Sequence, residues 1–542
     1  MFEYKTMNTE VAVIGGGLTG SIAAYELARA GGRVTVIRDG RGASPHVAGF
    51  NVAGVEDGDS VARFSKDTME SANGQADAAL VDVLCQGSAQ LPHYLETLGF
   101  SFDTDETGRL KARKSLGSSF ARVVGKGNSS GAEILSLIDK DLRTKDNVNI
   151  LEHTRALRLL CENGRVCGVL LYDKQNDQLT VLESPCVLLA SGGYAGIFPF
   201  TSNSKDISGD TVAMALLAGA SATDLEFVQF EPSCAVWPES IRGKGMITTL
   251  FYEGAVMTNA RGERFMLAHS SDAERVNKDV LARAIAKELR EGRASEHGGV
   301  WFDCRGVDAQ RMLSAYEPFV RRYQNVGIDL LSEPVEVANA AHTSLGGVKV
   351  DPHCESEVGG LFVAGEALGN LHGANRIGGS AGTETLVFGV HVANAIQAHA
   401  DLHASVGACA LADRFLAESG RPVLSLERAE QIQVEAKALL GRYLGVEREE
   451  GGLTIAVAEL QKRYDEVRAS SLGTSNRELF ERIALENLLI TALALAKSAM
   501  LRDDSVGSHL RIDKASPSER IYRTEARLVD DTVCTSKVYQ ST

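Results

Sequence analysis

The sequence predicts an α/β protein, in which a parallel sheet of the doubly wound type is interrupted by an α+β insertion and followed by three helices. Three observations carry this expectation. A β-branched run from Val11 ends on the glycine turn Gly15-x-Gly17-x-x-Gly20, enters a stretch of helical apolar spacing, and leaves through a second strand ending at Ile37. Two later apolar runs also close on glycine turns, "ASGGYAG" and "GLFVAGEA". The C-terminal part reads as helices over 427–446, 451–470 and 476–502, with Ser475 and Glu478 as a capping box before the last.

The first unit defines the fold best. A helix opening at Thr19 points free N–H groups and the positive end of its dipole toward Gly15, Gly17, Leu18 and Gly20, the arrangement that receives a dinucleotide pyrophosphate. The acid that usually ends the second strand and holds a ribose is replaced by Arg38, followed by Asp39. From about 157 to 190 the chain alternates, with Asn163-Gly164 and Asn176-Asp177 as hairpin turns. It then delivers Ser191 and Gly192, while the strand before Gly365 delivers Glu366 at its C-terminal end, so three distant turns can meet on one cofactor. Residues 226 to 339 lose the β rhythm and mix short helices and loops, as an inserted domain does. The expected division is 1–225 and 340–405 for the cofactor domain, 226–339 for the insertion, and 406–542 for the C-terminal helices and tail.

At 542 residues the chain exceeds one ordinary core. A net charge of -15 without any Lys/Arg run argues against a nucleic-acid partner held through phosphates. Nine cysteines without a C-x-x-C exclude ferredoxin-like, zinc-ribbon and c-type haem signatures, and most of them are expected to be buried thiols of a reduced cytoplasm. The first residues lack the basic and apolar regions of a signal peptide. The apolar run "LLITALALA" is broken by Lys497 and is shorter than the ~20 residues of a membrane span, so a core helix is expected.

The stretch "HGANRIGGSAGTETLVFG" sets a histidine and Arg376 in a glycine-rich turn that runs into an apolar helix. A turn that only reverses the chain needs no cation, whereas a backbone that approaches a ligand beside a fixed guanidinium does. The stripe Leu386, Val390, Ala393 and Ile396 would anchor the helix that begins near Ser380 and Ala381.

Taken in order, "VIGGGLTGSIAA", "ASGGYAG", "SGDTVAMALLAGASATDLEFVQFEP", "NARGERFM", "KDVLARAI", "AHTSLGGVKVD", "GLFVAGEALGNLHGANRIGG", "ETLVFG" and "LRDDSVGSHLRID" resemble the flavoprotein subunits of succinate dehydrogenase and fumarate reductase, with L-aspartate oxidase and the adenylylsulfate reductase flavoprotein. The resemblance implies a Rossmann-like, glutathione-reductase-like FAD domain interrupted by a mobile capping domain, then a three-helix domain. It also implies FAD and hydride exchange between flavin N5 and a carbon next to a carboxylate of a small organic acid. Arg376 and His342 match the residues that clamp the carboxylate, and Ser44 and Asp210 fall in cofactor-binding segments. Members that bind FAD covalently carry a histidine at the position of Ser44, and His46 lies two residues on, so non-covalent FAD is expected. Relatives with an iron-sulfur partner meet it through the FAD domain and the C-terminal region, so the candidate partners include an iron-sulfur or other electron-transfer protein.

Three departures mark the site. Glu231 replaces the histidine expected in "VQFEPS", Lys278 replaces the arginine that acts as proton donor, and Ile247 and Thr248 stand nearest a missing Thr-Glu pair. In "DSVGSH", Val506 replaces an arginine. Glu231 would repel the second carboxylate of a simple dicarboxylate, so the expected substrate carries a neutral or cationic group at that end. Lys278 can still carry a proton. Three alternatives remain open: a Glu231–Lys278 ion pair with Arg283 in a structural role, a true succinate, fumarate or aspartate enzyme with a compensated site, and a flavin-binding subunit with little chemistry of its own.

Overall fold

Five short strands make the central sheet, and the four other than the edge strand Val148–Leu151 are near-continuous buried runs, as a sheet covered on both faces requires. Val11–Ile14, Val34–Ile37 and Cys186–Leu189 are buried throughout, and with Leu361–Val363 and Val148–Leu151 they pair in parallel in the order 361–363, 186–189, 11–14, 34–37, 148–151. In this computed structural model, which describes residues 2–204, 206–399, 407–417, 421–514 and 520–539, helices Leu18–Arg29 and Ser380–Gln397 pack on each other and on this sheet. Leu386, Ala393 and Ile396 of the expected stripe are buried, and Val390 lies partly open. A second sheet runs Tyr4–Asn8, Gln178–Glu183, Arg165–Asp173, Thr154–Glu162, its hairpins turning at the two predicted sites with Asn163, Gly164 and Asp177 at positive φ.

The inserted region is α+β as expected, although its local pattern reads as short helices and loops: it contains a four-stranded antiparallel sheet, Val228–Ala235, Val335–Ser344, Val300–Asp303, Val256–Thr258. Two of these strands have three or four residues, too few to display a period of two. A separate hydrophobic core spans Ala235 to Val337 and includes Met257, Leu281, Ile285, Phe302 and Tyr323. Residue 339, where the sequence reading ends the insertion, lies within a strand. The 405/406 limit lies outside the described residues.

The C-terminal helices are Leu426–Tyr443, Glu450–Arg468 and Asn476–Leu501, and the capping box of Ser475 and Glu478 is formed in both directions. The last helix is long and apolar enough to cross a membrane, yet most of it is buried inside the fold, as expected of a core helix. Beyond Asp513 the sequence suggests only a tail. The structure instead folds Tyr522–Val529 and Thr532–Tyr539 into a hairpin that joins Ala222–Thr223 and Gly347–Val348 in one sheet. Asp530 and Asp531, both at positive φ, make its two-residue turn.

Arg502 ties this C-terminal part to the start of the insertion. It is fully buried, reaches Asp224 (3.1 Å) and Glu226, and lies between the rings of Phe227 and Tyr522, 4.6 Å from each centroid. Burial, together with Glu226, pushes the Asp224 carboxyl up to about 7, with Arg502 opposing. Replacing Arg502 by methionine leaves two buried carboxylates without their cation. Urea denaturation should show a loss of about 3–5 kcal/mol.

Candidate active site

The glycine turns converge on a cleft of about 1050 Å³, partly open to solvent. Of the residues the sequence singles out for the cofactor, Gly15, Gly17, Leu18, Thr19, Arg38, Ser44, Ser191, Gly192, Asp210, Gly365, Glu366 and Ala381 line it. Gly20, Ser380 and Arg376 do not line this cleft. Gly20 packs against Gly15, whose carbonyl would stand 2.2 Å from an added Cβ, and Ser380 accepts a hydrogen bond from Asn51 Nδ2 (3.0 Å).

The cleft fits an FAD. Gly15, at φ +130°, lets the turn press so close to the Cys186–Leu189 strand that a Cβ would lie 2.2 Å from the Ala190 carbonyl. Helix Leu18–Arg29 has no capping side chain of its own and no acid in its first turn, so its N-terminus is suited to a pyrophosphate. Ser44 Oγ accepts from the Leu18 amide at 2.9 Å. Helix Ser380–Gln397 likewise opens without a cap or acid, and Ala381, Glu384 and Thr385 of its first turns reach the other end of the cleft. The Arg38 guanidinium, at the cleft wall, is engaged by Asp139 (2.6 Å) and Glu152 (2.5 and 2.7 Å). Asp39 pairs with Lys174 at 2.9 Å. His46 is exposed and lies outside the cleft lining.

Beside this cleft the antiparallel pair Val228–Ala235 and Val335–Ser344 presents the polar residues. Alternation puts Gln229 and Glu231 on one face of their strand. The register steps from Gln229 opposite Thr343 to Phe230 opposite Ala341, so His342 is the extra residue of a β-bulge and leaves the ladder. A second irregularity follows Glu231, where Pro232 has no N–H to give the ladder.

Arg376 is 7% exposed. Its Nη2 donates to Gln229 Oε1 (2.9 Å) and its Nη1 to the Ile377 carbonyl (3.2 Å), while Nε has no partner among the described residues. Gln229 in turn donates to the Asn375 side chain (3.0 Å) and the Arg376 carbonyl (3.1 Å). Burial draws the guanidinium below the usual arginine range, with Glu384, Glu366 and Glu231 opposing. Gly379 turns the chain at φ +85° where a side chain would meet Val123 at 2.9 Å. His372 pairs with Glu384 (3.0 Å), both buried, and joins the turn to the helix behind it.

Lys278 begins helix Lys278–Arg290, and its Nζ donates to Glu231 Oε2. The other Glu231 oxygen accepts from Ser233 Oγ (3.2 Å). Burial raises the Glu231 carboxyl, but Lys278 first and His342 second hold it below its ordinary value. Arg283 reaches the Gly507 carbonyl and so links this helix to the C-terminal segment. Lys278 pairs with Glu231, and the charges of Lys278, Glu231 and Arg376 all act on His342.

His342 Nδ1 lies 2.9 Å from Ser202 Oγ. Enclosure of the ring, then Lys278, with Arg376 adding and Glu231 opposing, draws its pKa down to about 3. Glu366 accepts from the Ser344 amide (3.0 Å) and hydroxyl (3.1 Å), and burial raises its carboxyl. Gln229, Ser202 and Ser344 were missed in the sequence. Gln229 was detectable, since it sits two residues before Glu231 on the same strand face, but Ser202 and Ser344 carry no local signal. Among the described residues no group of three or more His, Cys, Asp or Glu is placed to hold a metal. Six of the nine cysteines are buried, Cys161 and Cys409 are partly open, and Cys534 is exposed.

Known proteins bear on this geometry. A family model described as an FAD binding domain matches residues 10–381, and one described as the fumarate reductase flavoprotein C-terminus matches 434–540. The chain is 31% identical to a polypeptide of the fumarate reductase (CoM/CoB) of Methanothermobacter marburgensis, over 94% of this chain and 95% of that protein. It is 30% identical to L-aspartate oxidase of Streptomyces coelicolor, over 95% and 90%. In fold it matches a quinol fumarate reductase chain from E. coli with a TM-score of 0.89 at 23% identity, covering 98% and 97%. With FAD as its cofactor, the chain belongs to the family of FAD-dependent oxidoreductases that contains the succinate dehydrogenase and fumarate reductase flavoproteins and L-aspartate oxidase.

Proposed function

We propose that this oxidoreductase acts on a small acid that offers one carboxylate to Arg376 and His342 and a neutral hydrogen-bonding group, such as an amide, to Glu231. The observation that carries the reading is the ion pair between Lys278 and Glu231. It removes both charges from the list of free ligands and leaves Arg376 as the cation facing the substrate. A second carboxylate would meet Glu231 in a partly desolvated space, and a cationic tail would meet Lys278. A neutral donor can take Glu231 Oε1, which otherwise holds only Ser233.

Gly15, Gly17, Ser44, Gly192 and Ala381 would hold FAD, and the bound flavin would supply hydride chemistry at a carbon beside the substrate carboxylate. It is held without a covalent bond in this reading, since His46 lies outside the cleft lining. Arg376, fixed by Gln229, orients the carboxylate and neutralises its charge. His342, neutral near pH 7, adds a hydrogen bond rather than a second charge. Lys278 carries the proton to or from the neighbouring carbon, and Glu231 keeps its ammonium in place. The Methanothermobacter relative is named as one component of a multi-subunit enzyme, which supports a separate protein as electron partner here as well.

Photoreduced holoenzyme, kept anaerobic, is offered fumarate, its monoamide fumaramate, and urocanate while flavin absorbance is followed. Fumaramate should reoxidise it about tenfold faster than fumarate or more, a difference of about 1.4 kcal/mol in the barrier. Faster reoxidation by fumarate would establish a plain dicarboxylate enzyme in which Lys278 leaves Glu231 to bind the second carboxylate. Lys278→Met should lower turnover by about 10²–10⁴-fold with FAD content unchanged. Glu231→Gln should shift preference toward fumarate by about tenfold.

The low His342 pKa also fixes a pH dependence. The unfolded chain takes up a proton near pH 6.5 that the folded ring refuses until about pH 3. Stability is therefore complete above pH 6.5 and falls as pH drops toward 3. His342→Gln should flatten that fall in urea titrations stepped from about pH 7 to about pH 4.

A further inference from the structure

We infer that Ser202 is a positioning residue that fixes the tautomer of His342, so that the neutral ring presents Nε2–H to the substrate carboxylate. The inference rests on the carboxylate clamp proposed above and assigns the group that makes the neutral ring a donor. A neutral imidazole carries one proton, and the ring nitrogen without it can only accept. The nitrogen held by a hydroxyl that donates is therefore the acceptor, and the proton sits on the other. Ser202 Oγ lies 2.9 Å from Nδ1, whereas its contact with the Ala341 carbonyl is long at 3.5 Å and that carbonyl already accepts from the Ser202 amide and Thr201 Oγ1, so the hydroxyl hydrogen is assigned to the ring.

The backbone makes this contact rigid. His342 has left the sheet register, and a bulge without support would let the ring turn. Segment 200–203 supplies that support through a single parallel bridge between Thr201 and Ala341. Ala341 donates its amide to the Phe200 carbonyl (3.1 Å), and the Ala341 carbonyl accepts from the Ser202 amide (3.0 Å) and Thr201 Oγ1 (2.8 Å). Asn203 Nδ2 donates to the His342 carbonyl (3.0 Å) and lies 3.5 Å from Glu366 Oε1, so the segment joins the carboxylate clamp to the cofactor cleft. With Nδ1 occupied and the ring drawn to a neutral state by enclosure and by Lys278 and Arg376, Nε2 is the remaining polar atom of the ring.

The test uses holoenzyme labelled with ¹⁵N-histidine. In the wild type the His342 nitrogens should show a protonated Nε2 and an unprotonated Nδ1 at about pH 7. Ser202→Ala should give mixed tautomers and weaken binding of propionate, read from the flavin difference spectrum, by about tenfold, the loss of one hydrogen bond. Ser202→Thr should restore both. A merely structural role would alter FAD content or thermal stability and leave the nitrogen signals unchanged. A protonated Nδ1 in the wild type, or an unchanged tautomer in Ser202→Ala, would overturn the inference alone. Propionate binding that is indifferent to His342→Ala would strike the clamp itself, and this inference with it.

Discussion

Burying Arg376 is unfavourable unless something answers its charge, and most of the surrounding architecture follows from that requirement. Its guanidinium has two protein partners and an Nε with none among the described residues, so the answer within the chain is incomplete. Glu231, Glu366 and Glu384 supply opposing charge. Under the proposed function an incoming carboxylate would complete the set, and the turn would act as a binding device. The bare backbone at Gly379 brings the turn against the strand neighbour Val123, and the helix that begins at Ser380 extends its uncapped N-terminus beside it.

The charge balance of the neighbouring residues then limits what can bind. Lys278 and Glu231 neutralise each other, and His342 is neutral by enclosure and by the cations around it. In the proposed reading the site therefore holds one strong cation for substrate, where a dicarboxylate asks for two. The arrangement is built from two flaws in one ladder: a bulge that turns out His342, and a proline that breaks pairing after Glu231.

Regular elements with strong local signals were legible in the sequence. The Gly15–Gly20 turn, the hairpins at Asn163 and Asp177, and the Ser475 capping box all declare themselves within a few residues. The sheet of the inserted region did not, because strands such as Val256–Thr258 are too short for periodicity and gain their stability from distant partners. The terminal hairpin was overlooked although Asp530-Asp531 between two alternating runs is a turn signal. Within the site, residue types could be read but not their pairing. Arg38 could be seen to stand where an acid usually holds the ribose, but not that Asp139 and Glu152, over one hundred positions away, pair with it. Glu231 and Lys278, forty-seven residues apart, were one of several open alternatives until the fold joined them.

The central claim is that the pocket balances one carboxylate and not two. The most direct measurement compares binding of succinamate and succinate to oxidised holoenzyme by flavin difference spectra near neutral pH. These two ligands share size and shape and differ by one charge. Tighter binding of succinamate, by about tenfold or more, is the predicted result. Tighter binding of succinate would mean that Lys278 serves the substrate rather than Glu231, and would contradict the account.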